Sequence, residues 1–218
     1  LSKLEELYRE AVKECDSDQR AAELCRKILV DLQTGNKELL DDWRKITRLS
    51  MEEVYRIYKE LDVLLTPEDE AGESFYRDQL AETVAVLKES GHLVESRGAW
   101  CVFLENFKAK DGSPLPVIVQ KSDGGYNYVT FDLAAIRYRI NKLGADRIIY
   151  VTVASQSLHF AQVFEVAHLA GWTKKGSRTV RLEHVAFGSI LGEDNKPLKT
   201  RSGENVKLAD LIKEAVER

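Results

Sequence analysis

Cysteine is scarce: three residues in 218, Cys15, Cys25 and Cys101, with no CxxC spacing. That excludes a disulfide framework and a cysteine-built zinc site, and it points to a reducing, cytoplasmic setting. Charge of one sign is lacking too. Lys and Arg number 32 against 36 Asp and Glu, a net charge of −4. This argues against a protein whose grip on nucleic acid rests on bulk positive charge, while leaving a local contact open. No apolar run approaches the roughly 18 residues of a membrane span, and no signal-peptide pattern opens the chain. Internal repeats and low-complexity stretches are absent. The only methionine is Met51 and the chain opens on Leu1, so it is expected to be a piece of a longer protein. What is present, 44% hydrophobic and 31% charged residues, is ordinary for a globular chain with a sizeable core.

The first sixty residues read as helices. Leu4, Leu7, Tyr8, Val12 and Cys15 recur at helical spacing, as do Leu24, Cys25, Ile28, Leu29 and Leu32, with Gly35 as a stop. Trp43, Ile46 and Leu49 form a third stripe, and Ser50 with Glu53 has the spacing of a capping box that would open a fourth helix. Leu61 to Leu65 is a short apolar run closed by Thr66-Pro67, which suits a buried strand. A helix is predicted from about Tyr76 to Gly91. Strands at Leu93–Glu95, Ala99–Leu104 and Pro116–Gln120, separated by Arg97-Gly98 and Asp111-Gly112, predict a small antiparallel insert at about 93–121.

Beyond Tyr126 strands and helices alternate. A helix over Asp132–Lys142, a buried strand over Arg147–Val153, a helix over Leu158–Ala170, a strand over Val180–Phe187 and a helix over Val206–Val216 imply a parallel sheet. Ligands bind at the carboxyl ends of such strands. That directs attention to the loops Glu68–Ser74, Ala154–Ser157 and Gly188–Gly203.

These loops hold polar groups with two readings each. Glu73 in Gly72-Glu73-Ser74 is a solvated loop acid or a ligand contact. Tyr128 and Asp132 stand four apart and share a helical face. Asp132 placed in the first turn would be favoured by the helix dipole alone; beside an aromatic ring it also suits a planar cation. Gln156, just past the best strand, either orients a ligand or caps the next helix. Lys196, Lys199 and Arg201, with Ser202 and Gly203, form a solvated basic loop or a phosphate contact, although the Walker pattern GxxxxGK[ST] is absent. His92, His159, His168 and His184 show no paired metal geometry, so no protein-bound metal is expected.

Taken together, the Gly72–Ser74 tripeptide, the run Gln120–Ala135 (QKSDGGYNYVTFDLAA), the stretch Ala154–Gln162 (ASQSLHFAQ) and the run His184–Gly203 (HVAFGSILGEDNKPLKTRSG) resemble the catalytic domain of the arginyl-tRNA synthetase family, a class I aminoacyl-tRNA synthetase. The resemblance covers essentially all 218 residues. It implies a Rossmann-like parallel sheet, the C-terminal half of such a catalytic domain, over 61–218, preceded by an α-helical segment over 1–60. It further implies that Glu73, Tyr128 and Asp132 hold the arginine guanidinium and that Gln156 contacts the substrate amino group. His159, His184, Phe187, Gly188 and Lys199 would meet ATP. Lys199, Arg201 and Ser202 stand in the place of the KMSKS loop, with serine where its second lysine falls. The implied partners are L-arginine, ATP with Mg2+ and the acceptor end of tRNA(Arg), with no membrane and no required oligomer. The HIGH-type motif and the anticodon-binding domain would lie outside this stretch, so the isolated chain is expected to be inactive. A class I synthetase for another amino acid, and a synthetase-derived binding module without catalysis, are the two rival readings.

Overall fold

The computed structural model describes residues 2–189 and 208–217. They fall into two contact units. One takes the chain as far as Glu70 together with the helix at 208–217; the other runs from Ala71 to Ser189.

The first unit is helical. Helix α1 spans Ser2–Ser17, α2 Gln19–Gln33 and α3 Lys37–Glu60. Asp18 caps α2 by accepting from the Arg20 amide at 2.8 Å, and Asn36 caps α3 by accepting from the Leu39 amide at 3.2 Å. Three helices thus stand where the three stripes and the Ser50 capping-box spacing predict four. Ser50 opens nothing: it lies inside α3, its hydroxyl donating to the Ile46 carbonyl at 2.9 Å. No Gly or Pro interrupts α3, and Arg56 clamps its last turns by pairing with Glu53 and Glu60 at 2.6 and 2.7 Å.

The predicted strand Leu61–Leu65 is absent. Leu61 caps α3, Asp62 turns left-handed (φ 53°), and the Val63 amide donates back to the Tyr58 carbonyl at 2.9 Å. This is a Schellman-type ending. It leaves Leu64 91% exposed, and among the described residues no strand pairs with it. Asp69 then accepts from the Thr66 amide at 2.9 Å and closes a short turn at Pro67–Asp69.

The second unit carries the sheets. A 3-10 segment, Glu73–Gln79, leads into α4, Leu80–Glu89, and Gly91 (φ 77°) ends it. Strands β1 (Val94–Ser96), β2 (Ala99–Val102) and β3 (Val117–Gln120) form an antiparallel meander. Arg97 and Gly98 both have positive φ (51° and 78°), the pattern of a two-residue hairpin turn. Helix α5 spans Tyr128–Asn141, β4 Arg147–Val153 and α6 Ser157–Leu169. A small hairpin follows, β5 (Lys174–Lys175) with β6 (Arg178–Thr179), and then β7, Arg181–Phe187. Strand β7 pairs in parallel with β4, from Arg147 opposite Arg181 to Val153 opposite Phe187. The described parallel sheet therefore has two strands. Helix α7, Leu208–Glu217, closes the described chain.

The core gathers Leu87, Val102, Val119, Leu133, Ile136, Phe160 and Val163 from α4, the meander, α5 and α6. Strand β4 is mostly apolar between Arg147 and Val153, yet the described residues cover it on one face only. Ile148 and Tyr150 are buried, while Ile149 and Val151 face outward. Among the described residues no helix is long and apolar enough to cross a membrane.

Candidate functional site

Helix α5 opens earlier than the sequence suggests. Asn127 occupies its cap, and the Asn127 side-chain amide donates to the Ile118 carbonyl of β3 at 2.9 Å, fixing the entry of the helix against the meander. Tyr128 is therefore its first residue, and no acid stands in its first turn. Asp132 lies one turn further on. The helix dipole acts mainly within the terminal turn, so the structural reason for an acid at this position is removed.

Asp132 meets His159 instead. His159 Nε2 lies 2.6 Å from Asp132 Oδ2, both side chains being about one quarter exposed (26% each). His159 comes from the first turns of α6, and its ring stands edge-on to Phe160 at 5.0 Å. Phe160 in turn lies 5.0 Å from the ring of His184 on β7, and His184 Nε2 lies 2.8 Å from Thr152 Oγ1 on β4. One contiguous path thus runs from α5 through α6 to both parallel strands.

Glu73 stands within reach of the Asp132 charge. Its carboxyl is held above the usual carboxylate range, first by partial desolvation and then by the Asp132 charge, even though much of the side chain is exposed. The two acids stand on separate elements, one in a 3-10 turn and one on a helix, and the Asp132 charge reaches Glu73 and opposes its ionisation. A cation between them relieves both costs, and a planar one could engage both acids through several donors. Tyr128, one helical turn before Asp132, is 71% exposed.

Tyr150 backs the site from β4. It is buried, and burial pushes its ionisation far above the ordinary range, with the nearby Arg139 charge acting the other way. The Arg139 guanidinium covers its ring at 5.1 Å. Neither Tyr150 nor Thr152 was singled out from the sequence. The signal was their place two apart on the outgoing end of β4, where alternate residues share a face.

Gln156 ends the short 3-10 turn after β4 and occupies the cap position of α6, but its side chain makes no capping bond and is exposed. Ser157 instead donates to the Ala154 carbonyl at 2.7 Å. Phe187 lies opposite Val153 at the shared carboxyl end of β4 and β7, followed by Gly188, which has nothing within 4 Å of where a Cβ would stand. So Asp132 and His159 come together, Glu73 is near enough to feel the Asp132 charge, His184 joins the pair through Phe160, and Gln156, Phe187 and Gly188 sit at the strand ends. Lys196, Lys199, Arg201, Ser202 and Gly203 lie outside the described residues.

The whole chain, residues 1–218, matches the family described as tRNA synthetases class I (R), catalytic domain. It is 50% identical over 218 residues to an arginine–tRNA ligase of Pseudomonas putida, covering 100% of this chain and 37% of that one. It is 51% identical over 215 residues to an arginine–tRNA ligase of Psychromonas ingrahamii, covering 99% of this chain and 36% of the relative. Among solved structures, the arginyl-tRNA synthetase of Plasmodium falciparum is similar over 92% of this chain and 31% of its own, with a TM-score of 0.71 and 34% identity. The chain thus spans a little over a third of the length of the curated relatives it matches.

Proposed function

Since the chain belongs to the class I arginyl-tRNA synthetase catalytic-domain family, we propose that it supplies the arginine pocket and part of the ATP site of an arginine–tRNA ligase. The observation that carries this reading is that Asp132, held by His159 at 2.6 Å, lies near enough for its charge to help raise the Glu73 carboxyl. The two acids have a use for one guanidinium and a penalty without it. Tyr128 provides the ring beside the cation and Gln156 contacts the α-amino group. His159 takes one Asp132 oxygen and leaves the other for substrate, so the guanidinium is shared between Asp132 and Glu73 rather than held by one fork. Citrulline, planar but uncharged, would leave the acids opposed; ornithine, a point cation, would reach fewer of their oxygens.

The reaction has two steps. The arginine carboxylate attacks the α-phosphate of ATP, forming arginyl-adenylate and releasing pyrophosphate. The terminal adenosine hydroxyl of tRNA(Arg) then takes the arginyl group and AMP leaves. Little of this needs covalent work by side chains, and the protein contributes position and charge. On this reading β4 and β7 belong to a larger Rossmann-like sheet, with His184, Phe187 and Gly188 beside the adenosine end of ATP. The cations of Lys199 and Arg201, with the Ser202 hydroxyl, steady the triphosphate, and magnesium arrives with the nucleotide. Such an enzyme works where translation does, in the cytoplasm.

The test is calorimetric titration of this chain, and arginylation kinetics in the longer enzyme that contains it. Asp132→Asn should weaken arginine binding about a hundredfold through loss of the charged pair. His159→Ala should raise the KM for arginine by about threefold to tenfold with a smaller change in kcat, because it frees the carboxylate to turn. Unchanged arginine binding in Asp132→Asn, or equal affinity for citrulline, would overturn the assignment.

A further inference from the structure

The spacing of the cysteines gave no reason to pair them, but the fold brings two of them together. Cys15 is in the last turn of α1 and Cys25 in the middle of α2, with Asp18 alone between the two helices. The chain bends there, and the two sulfurs stand 3.0 Å apart. A disulfide bond is about 2.05 Å long, so roughly 1 Å of approach separates contact from bond. Both residues are accessible, Cys25 more so, whereas Cys101 is buried. None of the described residues of α1, α2 and α3 is buried. A covalent link at this bend would thus act where packing does little to hold one helix to the next.

We propose that Cys15 and Cys25 are a thiol-modification site that a small-molecule disulfide, such as oxidised glutathione, converts to an intrachain disulfide stapling α1 to α2. The Cys25 thiolate attacks one sulfur of the oxidised glutathione, forming a mixed disulfide and releasing one glutathione thiolate. The Cys15 thiolate then attacks the Cys25 sulfur, forms the Cys15–Cys25 bond and releases the second. The two thiol protons end on the two glutathiones, and two electrons pass from the protein to the reagent. The order follows from accessibility. It is also favoured because the Cys15 thiol is held above its ordinary range by its hydrogen bond with Cys25, by partial desolvation and by the Glu14 and Asp16 charges. Since the second thiol is already in place, the mixed disulfide should not accumulate.

The experiment treats the 218-residue chain with glutathione mixtures, blocks remaining thiols with N-ethylmaleimide and digests with trypsin. Cleavage after Lys13, Arg20 and Arg26 places the two cysteines on separate peptides, residues 14–20 and 21–26. The expected product is these two peptides linked within a monomer, formed at least about tenfold faster than any modification of Cys101. Cys15→Ser should leave Cys25 as a stable glutathione adduct. In the linked form, amide exchange in α1 and α2 should slow by about threefold or more and recover on reduction. Accumulation of a Cys25–glutathione adduct in the unaltered chain, links between two chains, or modification of Cys101 at the same rate would each overturn the proposal.

Discussion

The helical unit and the sheet-bearing unit use apolar residues in opposite ways. Every buried side chain among the described residues lies between Tyr76 and Val180. In α1, α2 and α3 the apolar stripes are present but open: Leu7, Tyr8, Leu24, Leu29, Ile46 and Leu49 are each between 46% and 57% exposed. A periodic stripe therefore specifies a helix and a face, and burial is a separate fact. Cohesion in the helical unit rests on local terms such as the Asp18 and Asn36 caps and the Arg56 clamp, each worth about 0.3–1 kcal/mol. In the other unit it comes from side chains that meet across elements distant in the sequence.

The sharpest way to break this contrast is to truncate matched leucines. Leu133 on α5 is 0% exposed, so Leu133→Ala should cost about 2–5 kcal/mol. Leu24 on α2 is 57% exposed, so Leu24→Ala should change stability by no more than about 0.5 kcal/mol. Urea melts followed at Trp100 and Trp172 for the sheet-bearing unit and at Trp43 for the helical one read each change in its own surroundings. Comparable losses at the two sites would dissolve the distinction. A smaller effect is expected at Thr130, fully buried on α5, whose hydroxyl donates to the Val119 carbonyl of β3. Thr130→Val keeps the shape and removes the donor, at about 1–3 kcal/mol. A neutral result would mean that apolar packing alone joins α5 to the meander.

The same contrast explains what could be read from the chain. Strand β4 and helix α6 were legible within a residue or so because periodicity and the stops at Gly144 and Gly171 agree. Ser50 misled because a capping-box spacing is local, while the continuity of α3 depends on nothing breaking it. Leu61–Leu65 misled because a short apolar run is a strand only if another strand lies beside it. The hairpin at Lys174–Thr179 escaped notice since its two-residue strands have no measurable period. At the site, the expectation that Glu73 and Asp132 share one ligand came only from family resemblance, and what the structure adds is the Asp132 charge felt at Glu73. No periodicity links a 3-10 turn to a helix so far along the chain. The bond from His159 to Asp132 was not legible at all, because it depends on how α5 and α6 pack.

The smallest expected effect carries the clearest sign. Among the described carboxyl groups with a resolved shift, Glu68, Asp69, Asp111, Asp123 and Glu183 are all held below their ordinary range, chiefly by hydrogen bonds they accept, while Glu73 alone is held above it. The lowered groups bind fewer protons folded than unfolded, so each adds stability that is present above its ordinary value and lost as pH falls through its lowered one. Glu73 works the other way. Between its ordinary value and its raised one, the folded chain holds the extra proton, so its contribution falls as pH rises through that window. On the proposed arginine-pocket reading a bound guanidinium reverses this, because it favours the ionised acid. Binding should therefore release a proton there, and affinity should climb with pH and level off above the raised value. Glu73→Gln should remove both the opposing slope in stability and the proton release, measured by titrations in buffers of different ionisation enthalpy. If proton release persisted in that variant, the titrating group would be another one, and the pairing of Glu73 with Asp132 around a shared cation would lose its support.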